Sequence, residues 1–254
     1  MRWWARTEML IGPAGCERLA GATVAVFGLG GVGSFAVEAL ARAGVGAIRV
    51  VDHDTVNPTN LNRQLFGLHS TLGTPKVEAA KARILDINPA CRVDARRAFI
   101  QNETVAELLA PGVEVVIDAI DSLNAKTALL QACVEGGVAV IASMGAGGRM
   151  DGSMIQVGDL AETRLCPLAT KLRQRLRRRG IPGGIRCVYS LEPRRASLPP
   201  QDQDVDTHVG EGRRRTPLGT ISFLPAMFGL RAAQEAIALL LAGPGPAGNP
   251  TPLD

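Results

Sequence analysis

The first half of the chain alternates short apolar runs with amphipathic segments. Residues 23–28 form an apolar run that ends at Gly28, which predicts a buried strand followed by a tight turn. Residues 32–43, rich in Ala, Val and Leu, predict a helix, and residues 47–52 predict a second strand that ends on Asp52. Strands that alternate with helices in this way predict a parallel sheet covered by helices on both faces.

The same alternation continues along the rest of the chain. Further helices are predicted at about residues 75–87, 122–135, 161–179 and 223–241, and further strands at about 113–118, 138–143 and 185–191. The fold class is therefore α/β: a Rossmann-like, doubly wound, mostly parallel sheet with a basic helical and strand extension. We divide the chain into a Rossmann-like core (1–160), a basic segment with a flexible loop and a C-terminal helix packed on the core (161–242), and a disordered tail (243–254).

The bulk composition is that of an ordinary globular protein, but the positive charge is unevenly distributed. The 254 residues are 46% apolar and 20% charged, with a net charge of +4. Between residues 164 and 195 there are ten Lys or Arg and one acidic residue, Glu192. This local excess predicts an anionic partner more strongly than the overall charge does.

The five cysteines form no C-x-x-C pair, so the sequence indicates neither a disulfide framework nor a zinc ribbon. Cys91 and Cys133 are expected in the core, and Cys166 and Cys187 are the better candidates for exposure. The N-terminus has no apolar stretch typical of a signal peptide, and no run approaches a membrane span. We therefore expect a cytoplasmic protein with no membrane partner.

A glycine-rich turn follows the first predicted strand. Gly28, Gly30, Gly31 and Gly33 allow a tight turn and a close approach of backbone to a ligand, and the helix that follows offers its free N–H groups. Asp52, at the end of the second strand, can accept both hydroxyls of a ribose. These features alone are compatible with NAD, FAD or ATP.

A string of polar residues behind the glycines favours a nucleoside triphosphate. It contains Asp54, Asn60, Asn62, Arg63, Gln64 and Lys76. An NAD site does not need an arginine and a lysine that converge on one pocket, whereas a triphosphate needs its charge neutralised. Asp54 can also be a turn cap, and Lys76, taken alone, can be a surface lysine in the first turn of a helix.

Two aspartates end the predicted strand at 113–118. Asp121 could hold Mg²⁺ through its carboxylate oxygens; alternatively, either Asp121 or Ser122 could cap the following helix. Asp118 is the better candidate for a structural partner. Because the carboxyl ends of parallel strands meet at one edge of the sheet, Gly28, Asp52 and Asp121 can share one pocket.

Taken together, these motifs resemble those of the ubiquitin-activating (E1-like) superfamily, whose members adenylate carboxylates with ATP. The resemblance rests on Gly-x-Gly-Gly-Val-Gly at 28–33, Asp-x-Asp-x-Val at 52–56, Thr-Asn-x-Asn-Arg-Gln at 59–64, Gly-x-x-Lys at 73–76 and Asp-Ala-Ile-Asp-Ser at 118–122. It implies that Asp52 binds ribose, that Arg63 and Lys76 bind phosphates, and that Asp121 binds the metal. It also implies a homodimer in which Arg6 reaches the ATP site of the partner subunit.

Within this superfamily the sequence is most similar to the tRNA threonylcarbamoyladenosine dehydratases, through stretches at 38–46, 87–89, 145–148, 159–173 and 188–193. This implies ATP- and Mg²⁺-dependent cyclisation of threonylcarbamoyladenosine in tRNA through an acyl-adenylate, with Arg63, Lys76 and Asp121 as catalytic residues. A sulfur-transfer protein is a possible further partner. The tRNA is expected on a basic surface made of Lys171, Arg173, Arg175, Arg177, Arg178, Arg179 and Arg186.

Two alternatives stay open at this stage. One is adenylation of the C-terminal carboxylate of a ubiquitin-like sulfur carrier, but members with that activity usually carry two C-x-x-C pairs, which this chain lacks. The other is an NAD-linked oxidoreductase, against which Arg63 and Lys76 argue. Some relatives also carry a cysteine shortly before the last helix, where this chain has Arg213 to Gly219, so a covalent cysteine is not expected there.

Overall fold

A seven-stranded sheet organises the chain in the computed structural model, which describes residues 3–109, 111–198 and 218–243. The strands are β1 (Thr23–Phe27), β2 (Ala47–Val51), β3 (Arg92–Arg96), β4 (Val115–Asp118), β5 (Ala139–Ser143), β6 (Ile155–Asp159) and β7 (Arg186–Ser190). The helices are α1 (Ala5–Gly21), α2 (Gly33–Ala43), α3 (Lys76–Ile87), α4 (Asn102–Leu108), α5 (Leu123–Glu135), α6 (Pro167–Arg177) and α7 (Phe223–Ala242).

The strand order is β3-β2-β1-β4-β5-β7-β6, and every neighbouring pair is parallel except β6 and β7. Strands β2 and β3 follow β1 on one side of it, whereas β4 and β5 lie on its other side, so the strand order reverses between β1 and β4. Ligands of such sheets bind at the carboxyl ends of the strands near that reversal. The predicted fold class, a Rossmann-like and mostly parallel sheet, is confirmed.

The core lies on both faces of the sheet because the central strands are apolar on both sides. Along β1, Val24 and Val26 pack with Leu40 and Phe228 on one face, whereas Phe27 packs with Leu129 on the other. All six of these side chains are fully buried. This double coverage explains why the strands appear in the sequence as continuous apolar runs.

The basic helix is shorter than the sequence predicted. Residues 160–162 form a separate 3-10 turn that Asp159 caps by accepting the amide of Ala161 at 2.7 Å, and Leu165 then adopts φ +56°. Helix α6 therefore begins at Pro167, which fits the first helical turn. Because α6 ends at Arg177, Arg178 and Arg179 lie beyond it, and the predicted helix over 161–179 is wrong at both ends.

The last helix crosses the sheet as a core element. Position 229 of α7 packs so closely on the start of α2 that a Cβ there would overlap the carbonyl oxygen of Val32. By length and composition α7 is long and apolar enough to cross a membrane, although Arg231, Gln234 and Glu235 interrupt its apolar run. Of the most apolar stretch of α7, 56% is buried, and a core helix of a globular protein has the same properties.

The predicted boundary at residue 160 stays a prediction, although β7 pairs inside the sheet, between β5 and β6. Most of the predicted flexible loop at 192–216, and all but the first residue of the predicted disordered tail, lie outside the described residues. The same holds for Arg213 to Arg215.

Candidate active site

The glycine-rich turn brings β1, α2 and the end of β4 into close contact. Gly28 adopts φ +88°, and a Cβ there would stand 2.9 Å from the carbonyl oxygen of Ala119. A Cβ at Gly33 would overlap the carbonyl oxygen of Gly28, so α2 can begin this close to β1 only with glycine at that position. At Gly30 the nearest atom to such a Cβ is Nε2 of Gln64, at 4.0 Å, so that side of the turn is open.

Asp52 is buried at the end of β2, beside this turn. Its Oδ2 accepts the amide of Leu29 at 2.6 Å, and its Oδ1 accepts the amide of Asp54 at 2.8 Å. A carboxylate has about four lone-pair positions, so each oxygen retains one acceptor position. Two fixed acceptors next to a glycine turn suit the two hydroxyls of a ribose.

The loop that carries Arg63 is held by its own asparagines. Asn60 is buried, accepts the amide of Asn57 at 3.2 Å through its side chain, and accepts the amide of Gln64 at 2.9 Å through its carbonyl. Asn62 donates to the carbonyl of Thr220 at 3.0 Å, which ties the loop to the start of α7. In this structure these two residues shape the loop.

Arg63 lies between this loop and the glycine turn. Its Nη1 donates to the carbonyl of Thr59 at 2.8 Å and to Oδ1 of Asn62 at 2.9 Å, and its Cγ lies 3.3 Å from where a Cβ of Gly31 would stand. Burial lowers the pKa of the Arg63 guanidinium, and the negative charge of Asp121 opposes that shift. Among the described residues, Nε and Nη2 of Arg63 make no hydrogen bond, so this fork is available to a phosphate.

Lys76 is the first residue of α3, yet its side chain is buried, so the reading as a surface lysine is wrong. Its Nζ lies 3.0 Å from Oδ2 of Asp54, and its amide donates to the carbonyl of Asp54 at 3.0 Å. His53 approaches the other oxygen of Asp54 at 3.1 Å. Asp54 thus faces Lys76 across the site and is more than a turn cap.

The turn after β4 carries the two aspartates. Asp121 is exposed, and its charge acts on Arg63. Ser122 occupies the cap position of α5 but makes no side-chain cap bond, so the structure does not support the proposed cap through this serine. Asp118 is fully buried and forms an ion pair with Lys126 at 2.8 Å, which confirms it as a structural residue. Burial raises the pKa of Asp118, and the Lys126 ammonium opposes that shift.

Sequence reasoning did not single out Lys126. The signal was present: a single lysine interrupts the start of a helix that is otherwise mainly small and apolar, eight residues after a strand that ends in aspartate. Lysine is almost never fully buried unless its charge is paired, so a lysine on the apolar face of this helix indicates a buried acidic partner.

The hydrogen bonds and ion pairs described above limit which carboxylates of this site could coordinate a metal. Among the described residues, one group of possible ligands is Asp52, His53 and Asp54, whose donor atoms lie within 4.8 Å of one another. Both Asp52 oxygens already accept backbone amides, and Lys76 already balances the charge of Asp54. The exposed carboxylate of Asp121, a hard oxygen donor whose charge acts on Arg63, fits Mg²⁺ better.

The thiols offer no nucleophile in this site. Cys166 and Cys187 are buried, so the expectation of exposure is wrong for both, whereas Cys91 and Cys133 are buried as expected. Burial raises the pKa of Cys91 to about 11 and that of Cys133 and Cys187 to about 12. A reactive cysteine needs the opposite shift.

The basic residues around α6 fall into two groups. Four of them bond to neighbours: Arg173 to Thr163, Arg175 to Asn124, Arg179 to Gln131, and Arg186 to Glu235. The other three, Lys171, Arg177 and Arg178, are exposed, and their side chains make no hydrogen bond or ion pair with any described residue. Arg6 lies elsewhere, exposed on α1 beside Met9 and Leu10.

The fold and this set of residues define a nucleotide-binding α/β protein with a site for an anionic, phosphate-bearing ligand. A model of the ThiF family matches residues 4–253, so the chain belongs to the ThiF family. This confirms the resemblance found from the motifs.

The relatives are similar over almost the whole chain. The chain is 41% identical over 243 residues to the tRNA threonylcarbamoyladenosine dehydratase of Bacillus subtilis, covering 94% of both chains. It is 38% identical over 250 residues to the Escherichia coli enzyme of the same name, covering 93% of this chain and 92% of that one. Crystal structures of the E. coli enzyme with AMP and with ATP match at a TM-score of 0.82 and 37% identity, covering 94% of this chain and 93% of the other.

Proposed function

We propose that this protein is a tRNA threonylcarbamoyladenosine dehydratase, which uses ATP to cyclise N6-threonylcarbamoyladenosine in tRNA. The observation that carries this proposal is the placement of Asp52 and Arg63 beside the glycine turn, with Lys76 paired to Asp54 two residues after Asp52. The chain also aligns over almost its whole length with enzymes of that name. The solved relative that binds ATP and AMP supports the nucleotide.

The reaction needs ATP because the modified adenosine ends in a carboxylate, and hydroxide is a poor leaving group. A carboxylate oxygen attacks the α-phosphorus of ATP, which releases pyrophosphate and forms an acyl-adenylate. A nitrogen of the same modification then attacks the acyl carbon, loses its proton, and expels AMP. The oxygen lost as water in the net dehydration therefore leaves on AMP. Because the second step is intramolecular, positioning supplies much of the rate.

In this reaction some residues of the site bind the nucleotide, and others neutralise the charge of its phosphates. Asp52 holds the ribose, and the open side of the turn at Gly30 lets the backbone approach the phosphates. Arg63 offers a fork and Lys76 a point charge to the phosphates, so both stabilise the charge that develops at the α-phosphorus. Asp121 would hold Mg²⁺, which when bound neutralises charge on the leaving pyrophosphate. Asn60, Asn62 and Gln64 support this set as loop residues that face the nucleotide.

A homodimer with Arg6 acting in the partner's site is part of the proposal. The first turns of α1 expose large apolar side chains: Met9 is 88% exposed and Leu10 is 85% exposed. Exposed apolar side chains that lie together favour contact with another protein surface. Gly12, with φ +72°, separates this arm from the rest of α1 and lets it point in its own direction.

For the tRNA we propose the surface formed by Lys171, Arg177 and Arg178, with Arg173, Arg175, Arg179 and Arg186 as its supporting rim. The three exposed cations have no acidic partner among the described residues, and phosphate contacts would relieve their mutual repulsion. We place the protein in the cytoplasm and propose no membrane partner. Adenylation of a sulfur carrier is disfavoured by the missing C-x-x-C pairs, and nothing in the described site favours a sulfur-transfer protein.

The test is incubation with ATP, Mg²⁺ and threonylcarbamoylated tRNA, followed by mass analysis of the nucleosides and of the nucleotide product. The proposal requires loss of one water from the modified adenosine, together with one AMP per event. ADP as the product, or NADH binding without ATP binding, contradicts it.

A further inference from the structure

A fully buried lysine holds the turn that carries Asp121. Lys126 lies in the first turns of α5, and both its side chain and that of Asp118 have no exposed surface. The Lys126 ammonium lies 2.8 Å from Oδ2 of Asp118 and donates to the carbonyl oxygens of Asp118 at 3.3 Å and of Ile120 at 3.0 Å. Two of its three donors thus bond carbonyl oxygens of the turn, and the charge of the ammonium faces the Asp118 carboxylate.

The carboxylate of Asp118 also bonds to the backbone of this turn. Its Oδ1 accepts the amide of Ile120 at 3.1 Å. Its Oδ2 meets the ammonium only as an ion pair, without a well-oriented hydrogen bond to any described group. Burying such a pair costs free energy that well-packed apolar side chains would not cost. The pair therefore calls for an explanation other than stability.

The turn held by this pair has two neighbours in the site. Ala119 donates its amide to the carbonyl of Phe27 at 2.8 Å, and its own carbonyl lies against Gly28. The next exposed residue is Asp121, whose charge acts on Arg63. Because β1 also holds Ala119, loss of the Lys126 bonds would chiefly move the Asp121 end of the turn and would leave the glycine turn in place.

We infer that Lys126 is a positioning residue: with Asp118 it fixes the 118–121 turn so that the Asp121 carboxylate faces the phosphates of ATP. This inference rests on the proposed role of Asp121 toward Mg²⁺. Lys126 does not touch the nucleotide and acts through the carbonyls of Asp118 and Ile120. Its effect should therefore be on how strongly Mg²⁺ improves ATP binding, and not on the binding of AMP.

The test measures the dissociation constants of ATP with and without Mg²⁺, and that of AMP, by titration calorimetry. The variants are Lys126→Met, and Lys126→Met combined with Asp118→Asn, which leaves no unpaired charge in the core. Lys81→Met, at an exposed lysine of α3, is the matched control. Lys126→Arg tests rescue by a retained charge, and Asp121→Asn reports the proposed metal role separately.

We expect the double variant to fold, to bind AMP as wild type does, and to lose about 10- to 100-fold of the gain in ATP affinity that Mg²⁺ gives, as second-shell partners of a metal site do. Lys126→Arg should recover part of that gain, and Lys81→Met should lose none. A folded double variant with the full Mg²⁺ gain, beside an Asp121→Asn protein that loses it, overturns the inference and leaves the metal role intact. If Asp121→Asn keeps the gain, the metal role of Asp121 is wrong and the inference falls with it. If neither Lys126→Met protein folds, the pair serves the fold as a whole, which also contradicts the inference.

Discussion

Nζ of Lys76 lies 3.0 Å from Oδ2 of Asp54, with the lysine buried and the aspartate half exposed. Asp54 thereby balances the charge of the lysine that we propose to bind the phosphates. A backbone bond between the same two residues, from the Lys76 amide to the Asp54 carbonyl at 3.0 Å, fixes the start of α3 beside the end of β2. Lys76 is therefore held in place before ATP arrives.

Replacing Lys76 by Met should weaken ATP binding by about 10- to 100-fold, because a hydrogen bond to a charged group is lost. The fold should survive, since Asp54 is exposed enough to remain hydrated. Titration calorimetry checks the affinity, and thermal unfolding checks the fold. Lys81→Met on the same helix is the control and should bind ATP as wild type does. Unchanged ATP affinity in Lys76→Met would remove this lysine from the site.

Two alanine substitutions in the glycine turn should have opposite consequences. Gly33→Ala would overlap the carbonyl oxygen of Gly28, so the protein should fail to fold or should unfold at a much lower temperature. Gly30→Ala has room, with only Nε2 of Gln64 at 4.0 Å, so its unfolding temperature should match that of wild type. Its new methyl group would, however, stand where the backbone approaches the phosphates, and ATP affinity should fall at least about tenfold.

The result that matters most for this pair is ATP binding by Gly30→Ala. If that variant binds ATP as tightly as wild type, the ligand does not approach the turn at this position. If Gly33→Ala folds normally, the close contact between α2 and β1 is not needed.

The strands could be predicted from the sequence because they are buried on both faces. Residues 23–27 and 47–51 are mainly apolar, with Thr23 and Arg49 as the exceptions, and glycine or aspartate follows them directly; that pattern has few alternatives. Helix α1 was missed because Gly12 and Pro13 interrupt its periodicity. Strand β6 was missed because it is short and half buried at the sheet edge, and its partner β7 lies about thirty residues further along the chain.

The site was predicted as a set of residues but not as a set of contacts. Motif spacing pointed to Asp52, Arg63 and Lys76, and glycine turns and strand ends explain why they meet. The spacing could not show that Lys76 forms an ion pair with Asp54, that Asn62 bonds to Thr220, or that Arg186 forms an ion pair with Glu235. Those contacts join residues that are distant in sequence, and they follow from packing rather than from local pattern.

Mixing two inactive proteins should restore activity if Arg6 acts in the partner's site. Arg6→Ala and Arg63→Ala dimers should each be inactive, because every site lacks one arginine. In a mixed dimer the site that keeps Arg63 receives Arg6 from the other subunit, so an equal mixture should reach about a quarter of wild-type activity after subunit exchange. An active Arg6→Ala protein, an active wild-type monomer, or a mixture that gains nothing contradicts this arrangement.

Removing the exposed cations of the basic surface should weaken tRNA binding through salt-dependent contacts. The triple variant Lys171→Ala, Arg177→Ala, Arg178→Ala should bind tRNA less tightly, and the slope of log affinity against log salt should fall by roughly one unit per lost phosphate contact. ATP affinity should hardly change. The control is Lys81→Ala with Arg92→Ala, which removes exposed cations near β3, at the other edge of the sheet. If the triple variant keeps the wild-type affinity and slope, the tRNA binds elsewhere on the protein.

The central claim is that the carboxylate of the modified adenosine is activated on the α-phosphorus of ATP. Its most direct test is to label that carboxylate with ¹⁸O in the tRNA, run the reaction with Mg²⁺ and unlabelled ATP, and weigh the nucleotide products. The account predicts one ¹⁸O atom on AMP for each cyclised adenosine and none on pyrophosphate. Label on inorganic phosphate with ADP as the product, or AMP without label, would contradict it.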